Sequence, residues 1–170
     1  RVKEADVVIF VGGISPNLEG EEKNFVNCPG FVGGDRTSIE LPEVQRNILK
    51  ALKKAGKKVI FVNCSGSAMA LVPETQSCDA ILQAWYPGQA GGTAVADIIF
   101  GDYNPSGKLP VTFYKNTEQL PDFEDYSMKG RTYRYMTESP LFPFGYGLSY
   151  TTFQFSKAGL NKRVATINQP

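Results

Sequence analysis

Apolar residues gather along this chain in short blocks separated by glycine, proline and polar stretches. The first block, Asp6-Val7-Val8-Ile9-Phe10-Val11, is continuous, β-branched and stopped by Gly12-Gly13. It predicts a strand buried on both faces, as in a parallel sheet. Ile14 to Leu41 then shows neither helical nor strand period, and a loop that long inside a compact domain is usually functional. From Pro42 the period changes. Val44, Ile48, Leu49 and Leu52 fall on one helical face, and Lys50, Lys53, Lys54 and Gly56 supply a cationic end and a stop. Lys58 to Cys64 and Ala80 to Tyr86 read as two more buried strands, with a short helix expected around Ala68 to Leu71 between them. Gly91 to Phe100 has helical spacing closed by Gly101, and Leu109 to Tyr114 reads as a fourth strand. This order predicts an α/β fold, a layered sandwich with a mainly parallel sheet flanked by helices. Beyond about residue 115 the chain is rich in aromatics and proline and reads as an irregular tail around the same core.

Composition narrows the chemistry. The 170 residues carry 18 Lys+Arg against 17 Asp+Glu, a net charge of +1, with 42% hydrophobic and 21% charged residues. That is the balance of a globular domain with no electrostatic footprint for nucleic acid, and no apolar run is long enough to span a bilayer. There are no histidines. Ser-His and Cys-His nucleophile pairs and His-ligated zinc are therefore excluded from within the chain, and acid–base work near neutral pH falls to carboxylates, Tyr, Lys or Cys. Cys28, Cys64 and Cys78 form an odd set without CxxC spacing, so they read as small buried or loop thiols. No metal or other cofactor is implied. The opening Arg1-Val2-Lys3 is neither an initiator nor a leader, and residues 161–170 complete no element, so the chain is expected to be a piece of a longer protein.

In parallel α/β sheets, ligands meet the loops at the carboxyl ends of the strands. The first such loop carries Leu18-Glu19-Gly20-Glu21-Glu22 and, later, Gly33-Gly34-Asp35-Arg36. Three glutamates within four residues raise one another's pKa, which suits a carboxyl kept protonated as a general acid; a solvated acidic loop is the plainer reading. Asp35-Arg36 reads as a salt bridge pinning the loop ahead of the helix. Asn63-Cys64-Ser65-Gly66-Ser67 lacks the GxSxG order of a nucleophile elbow. Tyr86-Pro87-Gly88-Gln89-Ala90-Gly91-Gly92 lacks a phosphate fingerprint and reads as a tight turn with close helix–sheet packing. Tyr133, Tyr135, Phe142, Phe144, Tyr146 and Tyr150 could stack on sugars, though anchoring of the core or tail is the commoner use.

Three segments together resemble one family. The run Trp85-Tyr86-Pro87-Gly88-Gln89-Ala90-Gly91-Gly92-Thr93-Ala94-Val95-Ala96-Asp97, continued by Phe100-Gly101-Asp102-Tyr103-Asn104-Pro105-Ser106-Gly107-Lys108-Leu109-Pro110-Val111-Thr112, resembles the C-terminal α/β sandwich domain of glycoside hydrolase family 3. Pro143-Phe144-Gly145-Tyr146-Gly147-Leu148-Ser149-Tyr150-Thr151-Thr152-Phe153 resembles that family's approach to a fibronectin type III-like domain. The acidic loop ending Gly34-Asp35-Arg36, followed by Leu41-Pro42, fits as well. The resemblance implies a sandwich domain over residues 1–156, lacking the strands that normally precede Asp6, with 157–170 opening the next module or a tail.

It also implies chemistry. Members resemble one another as retaining, exo-acting β-glycosidases of the β-xylosidase and β-glucosidase kind. Their two carboxyls stand about 5–5.5 Å apart and form a covalent glycosyl-enzyme. The nucleophile comes from an N-terminal barrel of the same protein, absent from this chain, and the acid/base Glu from the sandwich. Matching the family's Leu/Ile-Glu-Ala-Glu pattern to Leu18-Glu19-Gly20-Glu21 places the acid/base on Glu21. Matching the Glu-Gly pair directly selects Glu19 instead. Glu22, Arg131 and Arg134 become candidate substrate contacts, the last two through the segment Gly130-Arg131-Thr132-Tyr133-Arg134-Tyr135. The expected partners are an oligosaccharide or aryl β-glycoside with terminal β-xylose or β-glucose and the barrel domain, in a periplasmic or secreted setting, without nucleic acid or membrane. The isolated chain is expected to be inactive. The competing expectation is a non-catalytic carbohydrate-binding or scaffolding α/β domain.

Overall fold

The computed structural model describes residues 2–20, 28–164 and 166–168. Strand β1 (Val7–Gly13), helix α1 (Glu43–Lys54), strand β4 (Lys58–Cys64), helix α2 (Val72–Ser77) and strand β5 (Ala80–Gln83) make two consecutive strand–helix–strand units. The three strands form a parallel sheet in the order β1-β4-β5, with Val7 opposite Lys58 and Ile60 opposite Ala80. Between β1 and α1 the chain makes a two-stranded antiparallel ribbon of β2 (Phe31–Val32) and β3 (Asp35–Arg36). Helix α3 (Gly91–Phe100) follows β5, and a short helix α4 (Thr132–Tyr135) lies in the tail. The fold is the expected α/β one.

The core forms where β4 is covered on both faces. Val59, Phe61 and Val62 on β4 are buried with Leu49 of α1, Ile14, Phe31, Leu41, Met69, Leu71 and Phe113. β1 departs from the expectation of two buried faces. It lies at the sheet edge, and Val7, Ile9 and Val11 are 45%, 43% and 64% exposed, so its β-branched residues face outward on one side. The helical stripe also divides: Leu49 is fully buried, whereas Val44 and Ile48 are exposed.

Three further boundaries move, each for a local reason. The short helix expected over 68–71 begins instead at Val72, because Pro73 fits only a first helical turn. Met69, Ala70 and Leu71 are buried ahead of it, and the Ala70 N–H bonds the Ile39 carbonyl at 2.8 Å. The strand expected through Tyr86 stops at Gln83, and Trp85 takes a left-handed backbone, φ 56°. The strand expected at Leu109 to Tyr114 does not join the sheet. Its Leu109 and Phe113 bond Tyr146, Gly145, Leu141 and Phe142 of the tail, and Phe113 bridges Phe142 antiparallel. Pro110 has no N–H to offer a ladder there. The tail is thus clasped to the core.

The polar seam between the loops is equally specific. Glu40 accepts from the Thr117 N–H at 2.9 Å and the Thr117 hydroxyl at 2.6 Å, and from the Ser38 hydroxyl. Burial alone would raise its pKa, but these hydrogen bonds outweigh it and hold it at about 2, against an ordinary 4.5. A native pKa below the unfolded one gives stability that is complete above about pH 5 and lost as pH falls from 4.5 towards 2. Glu40→Gln should therefore unfold more easily than the parent at pH 6, with the gap closing towards pH 2. Denaturant midpoints across that range check it, and a gap unchanged by pH would remove Glu40 as the cause.

Candidate active site

The carboxyl ends of all three parallel strands meet in one place, and the fold stitches them together with hydrogen bonds. Gly13 ends β1 with φ +122°, and a Cβ there would lie 1.9 Å from the Cys64 carbonyl oxygen. The next residue, Ile14, donates its N–H to that same oxygen at 2.9 Å. The Tyr86 hydroxyl, from the turn after β5, donates to the Ile14 carbonyl at 3.0 Å. Between β4 and β5, the Asn63 amide donates to Gln83 Oε1 at 2.6 Å, Gln83 Nε2 donates to Ser65 Oγ at 3.1 Å, and Ser65 Oγ donates to the Ser67 carbonyl at 3.0 Å. Asn63 and Ser65 are fully buried, so this network is a rigid polar floor beneath the loops.

The acidic loop rises from that floor. Leu18 and Glu19 both donate their N–H to the Ser15 carbonyl, at 2.9 and 3.1 Å, closing a tight turn, and Leu18 packs against the core. Glu19 is half-buried above it. Glu21 and Glu22 lie outside the described residues. The loop returns through β2 and β3 to Arg36, which is half-buried and donates to Ser67 Oγ at 2.7 Å, to the Ala68 carbonyl at 3.3 Å and to the Ser38 carbonyl at 3.2 Å. Arg36 does pin the loop, but not through a bridge to Asp35, which is exposed and pairs with no cation among the described residues. The Arg36 guanidinium finds more acceptors across the sheet edge than beside its own neighbour.

Electrostatics tie Arg36 to the loop. Burial lowers its pKa, while Glu19, Glu40 and Tyr86 act on it in the opposite direction. It stays charged, because no such shift brings an arginine near neutrality. Glu19 is thus among the charges acting on Arg36, and among the described residues one guanidinium nitrogen of Arg36 is buried without a hydrogen-bond partner. Thiol chemistry has no support here. Burial pushes the Cys64 thiol up, and burial with the nearby Glu74 and Asp79 carboxylates pushes Cys78 up to about 11. Cys28 is half-buried and free.

Arg131 and Arg134 are elsewhere. Arg131 donates to the carbonyls of Ser127, at 2.7 Å, and Asp125, folding the tail on itself. Arg134 lies over the Tyr133 ring at 6.0 Å. No hydrogen bond or ion pair joins either arginine to the Glu19 loop among the described residues. The aromatics mostly anchor: Tyr133 stacks on Phe144 at 4.7 Å, Phe142 on Tyr146 at 4.9 Å, and Tyr150 bonds the Ile98 carbonyl at 2.6 Å. Sequence reasoning missed Gln45 as a member of this edge, because it lies 32 residues from Gly13 on a separate helix and stands in no local motif; it had placed Arg36 and Tyr86 on edge loops, without the partners they reach.

Residues 1–150 match the glycosyl hydrolase family 3 C-terminal domain. The chain belongs to this family. It is 73% identical over 158 residues to a xylan 1,4-beta-xylosidase of Xylanibacter ruminicola, covering 93% of this chain and 18% of that protein. It is 43% identical to a periplasmic beta-glucosidase of Salmonella typhimurium, covering 94% of this chain and 21% of that protein. Among solved structures, a GH3 exo-beta-xylosidase in complex with a xylobiose aziridine activity-based probe superposes with a TM-score of 0.72 at 30% identity, over 89% of this chain and 20% of that one. The family 3 chain described here therefore spans about a fifth of the relatives it matches.

Proposed function

We propose that this chain is the acid/base-bearing domain of a retaining, exo-acting β-glycosidase that releases terminal β-linked xylose or glucose from oligosaccharides. The observation that carries this reading is the position of the glutamate loop. Its root is held at the carboxyl ends of the three parallel strands. A purely scaffolding sandwich gives no physical reason to concentrate Glu19, Glu21 and Glu22 in the stretch of sequence that follows β1. Glu21 is the acid/base, with Glu19 the alternative from the second register. The high identity to a protein named as a xylosidase favours xylose as the terminal sugar.

The division of labour follows from the chemistry. A glycosidic bond breaks through an oxocarbenium-like transition state, which needs a carboxylate beneath the anomeric carbon and a proton for the departing oxygen. This chain supplies the proton. The nucleophile comes from the barrel domain of the same protein, so the chain alone has no turnover. Residues 1–156 form the sandwich and 157–170 begin the following module or tail. A periplasmic or secreted setting fits an enzyme acting on oligosaccharides and the compartment in the Salmonella relative's name. Glu22, Arg131 and Arg134 remain candidate contacts to the sugar or its leaving group once the barrel is in place.

The test is stereochemical. Incubated with aryl β-xylosides and β-glucosides and followed by proton NMR, the intact enzyme should release the β-anomer first, before mutarotation, and the isolated chain should release nothing. An α-anomer first would remove the retaining mechanism. Turnover by the isolated chain would remove the shared site, and hydrolysis of neither substrate by the intact enzyme would leave the scaffolding alternative.

A further inference from the structure

At the last residue of β1, before the glutamate loop departs, one side chain holds the backbone by two hydrogen bonds. Gln45, on the first turn of α1, accepts the Gly13 N–H on Oε1 at 2.8 Å and donates from Nε2 to the Gly13 carbonyl at 2.7 Å. Its amide supplies at Gly13 the donor and acceptor that a further strand would otherwise offer. The two glycines there are what admit it. A Cβ on Gly12 would lie 2.4 Å from Gln45 Oε1, and one on Gly13 would collide with the Cys64 carbonyl. Ile14 is then gripped on its other side by Cys64 and Tyr86. From this root to Glu19 there is only the tight turn closed on Ser15, with Leu18 packed against the core. Any shift of Gly13 is therefore passed as far as Glu19 with little slack.

We infer that Gln45 is a positioning residue for the loop carboxyl: its paired hydrogen bonds to Gly13 fix the root from which the glutamate reaches the leaving-group oxygen. This rests on the acid/base reading of the loop given above. Gln45 touches no substrate. It acts because a catalytic group displaced by about 1 Å loses as much as 10²-fold in rate, and an acid pays that loss in proportion to how much the leaving group needs protonation.

That proportionality separates positioning from simple support of the fold. In the intact enzyme, Gln45→Ala should lower kcat/KM on aryl β-xylosides with poor leaving groups by roughly 10–100-fold and on those with good leaving groups by no more than about 2-fold. Gln45→Glu keeps an acceptor to the Gly13 N–H but sets a carboxylate oxygen against the Gly13 carbonyl at neutral pH, so its loss should be at least that of Gln45→Ala and rank leaving groups in the same order. An equal loss on all leaving groups, or none, overturns the inference, because a weakened fold lowers the active fraction for every substrate alike. Glu21→Ala and Glu19→Ala, measured in parallel, separate the two ideas. If one of them splits leaving groups while Gln45→Ala does not, only the role of Gln45 falls. If neither splits them, the acid/base reading falls and the positioning role with it.

Discussion

In the intact enzyme, Glu21→Ala should slow hydrolysis of aryl β-xylosides with poor leaving groups by ~10²–10⁴-fold, or about 3–5 kcal/mol of barrier, and nearly spare the first step for good leaving groups. The asymmetry is the point. A nitrophenolate-like group departs without a proton, so removal of the acid leaves its glycosylation step almost intact, whereas an alkoxide cannot leave unaided. The second step tells the same story from the other side. The carboxylate that gave the proton must now take one from water. Without it the glycosyl-enzyme accumulates, and kcat and KM for good substrates fall together. Azide needs no base to attack, so it should restore turnover and leave the sugar as a glycosyl azide, visible by mass. If Glu19→Ala shows this pattern and Glu21→Ala does not, the second register through the loop is the correct one and the acid sits on the half-buried Glu19. If neither variant shows it, the loop is scaffold.

Local pattern carried the parts of this fold that local forces decide. The block from Lys58 to Cys64 is a strand over that whole range, because nothing in it competes with burial on both faces. The Gly91 to Phe100 helix likewise ends where its glycine stops it. Where pattern misled, a partner far along the chain had decided. Val7, Ile9 and Val11 look like interior residues, yet among the described residues β1 has a neighbouring strand on one side only. Leu109 to Tyr114 looks like a strand, yet the tail claims its hydrogen bonds. The candidate site divides in the same way. The glutamate cluster was visible as a run of like charge. Arg36 reaching Ser67 and Gln45 reaching Gly13 are separated from their partners by 31 and 32 residues, and no spacing rule announces them. The family resemblance supplied what periodicity could not, the reason proposed above for so long a loop.

Glu74 is the residue whose surroundings the chain's pattern hid most completely, and Arg46→Met should expose it. Glu74 lies on α2 with its side chain 1% exposed, held by Arg46 of α1 through Nε to Oε1 at 2.8 Å and Nη2 to Oε2 at 3.3 Å. The fork also reaches the Ala70 carbonyl at 3.4 Å, so one guanidinium fastens both helices and the segment leading into α2. Removing the cation leaves a carboxylate out of water with no counter-charge, and such a break costs about 3–5 kcal/mol. A domain of this size has roughly 5–15 kcal/mol in all, so chemical denaturation should show a much lower midpoint or outright unfolding. The pair itself is a weak net contributor, because desolvating both ions offsets most of their attraction. Arg46→Met combined with Glu74→Leu should therefore recover most of the lost stability, and Glu74→Leu alone should be milder than Arg46→Met, since Arg46 is 18% exposed and can turn towards water. Two single variants of equal cost whose effects simply add would show that packing, rather than the buried charge, sets the penalty.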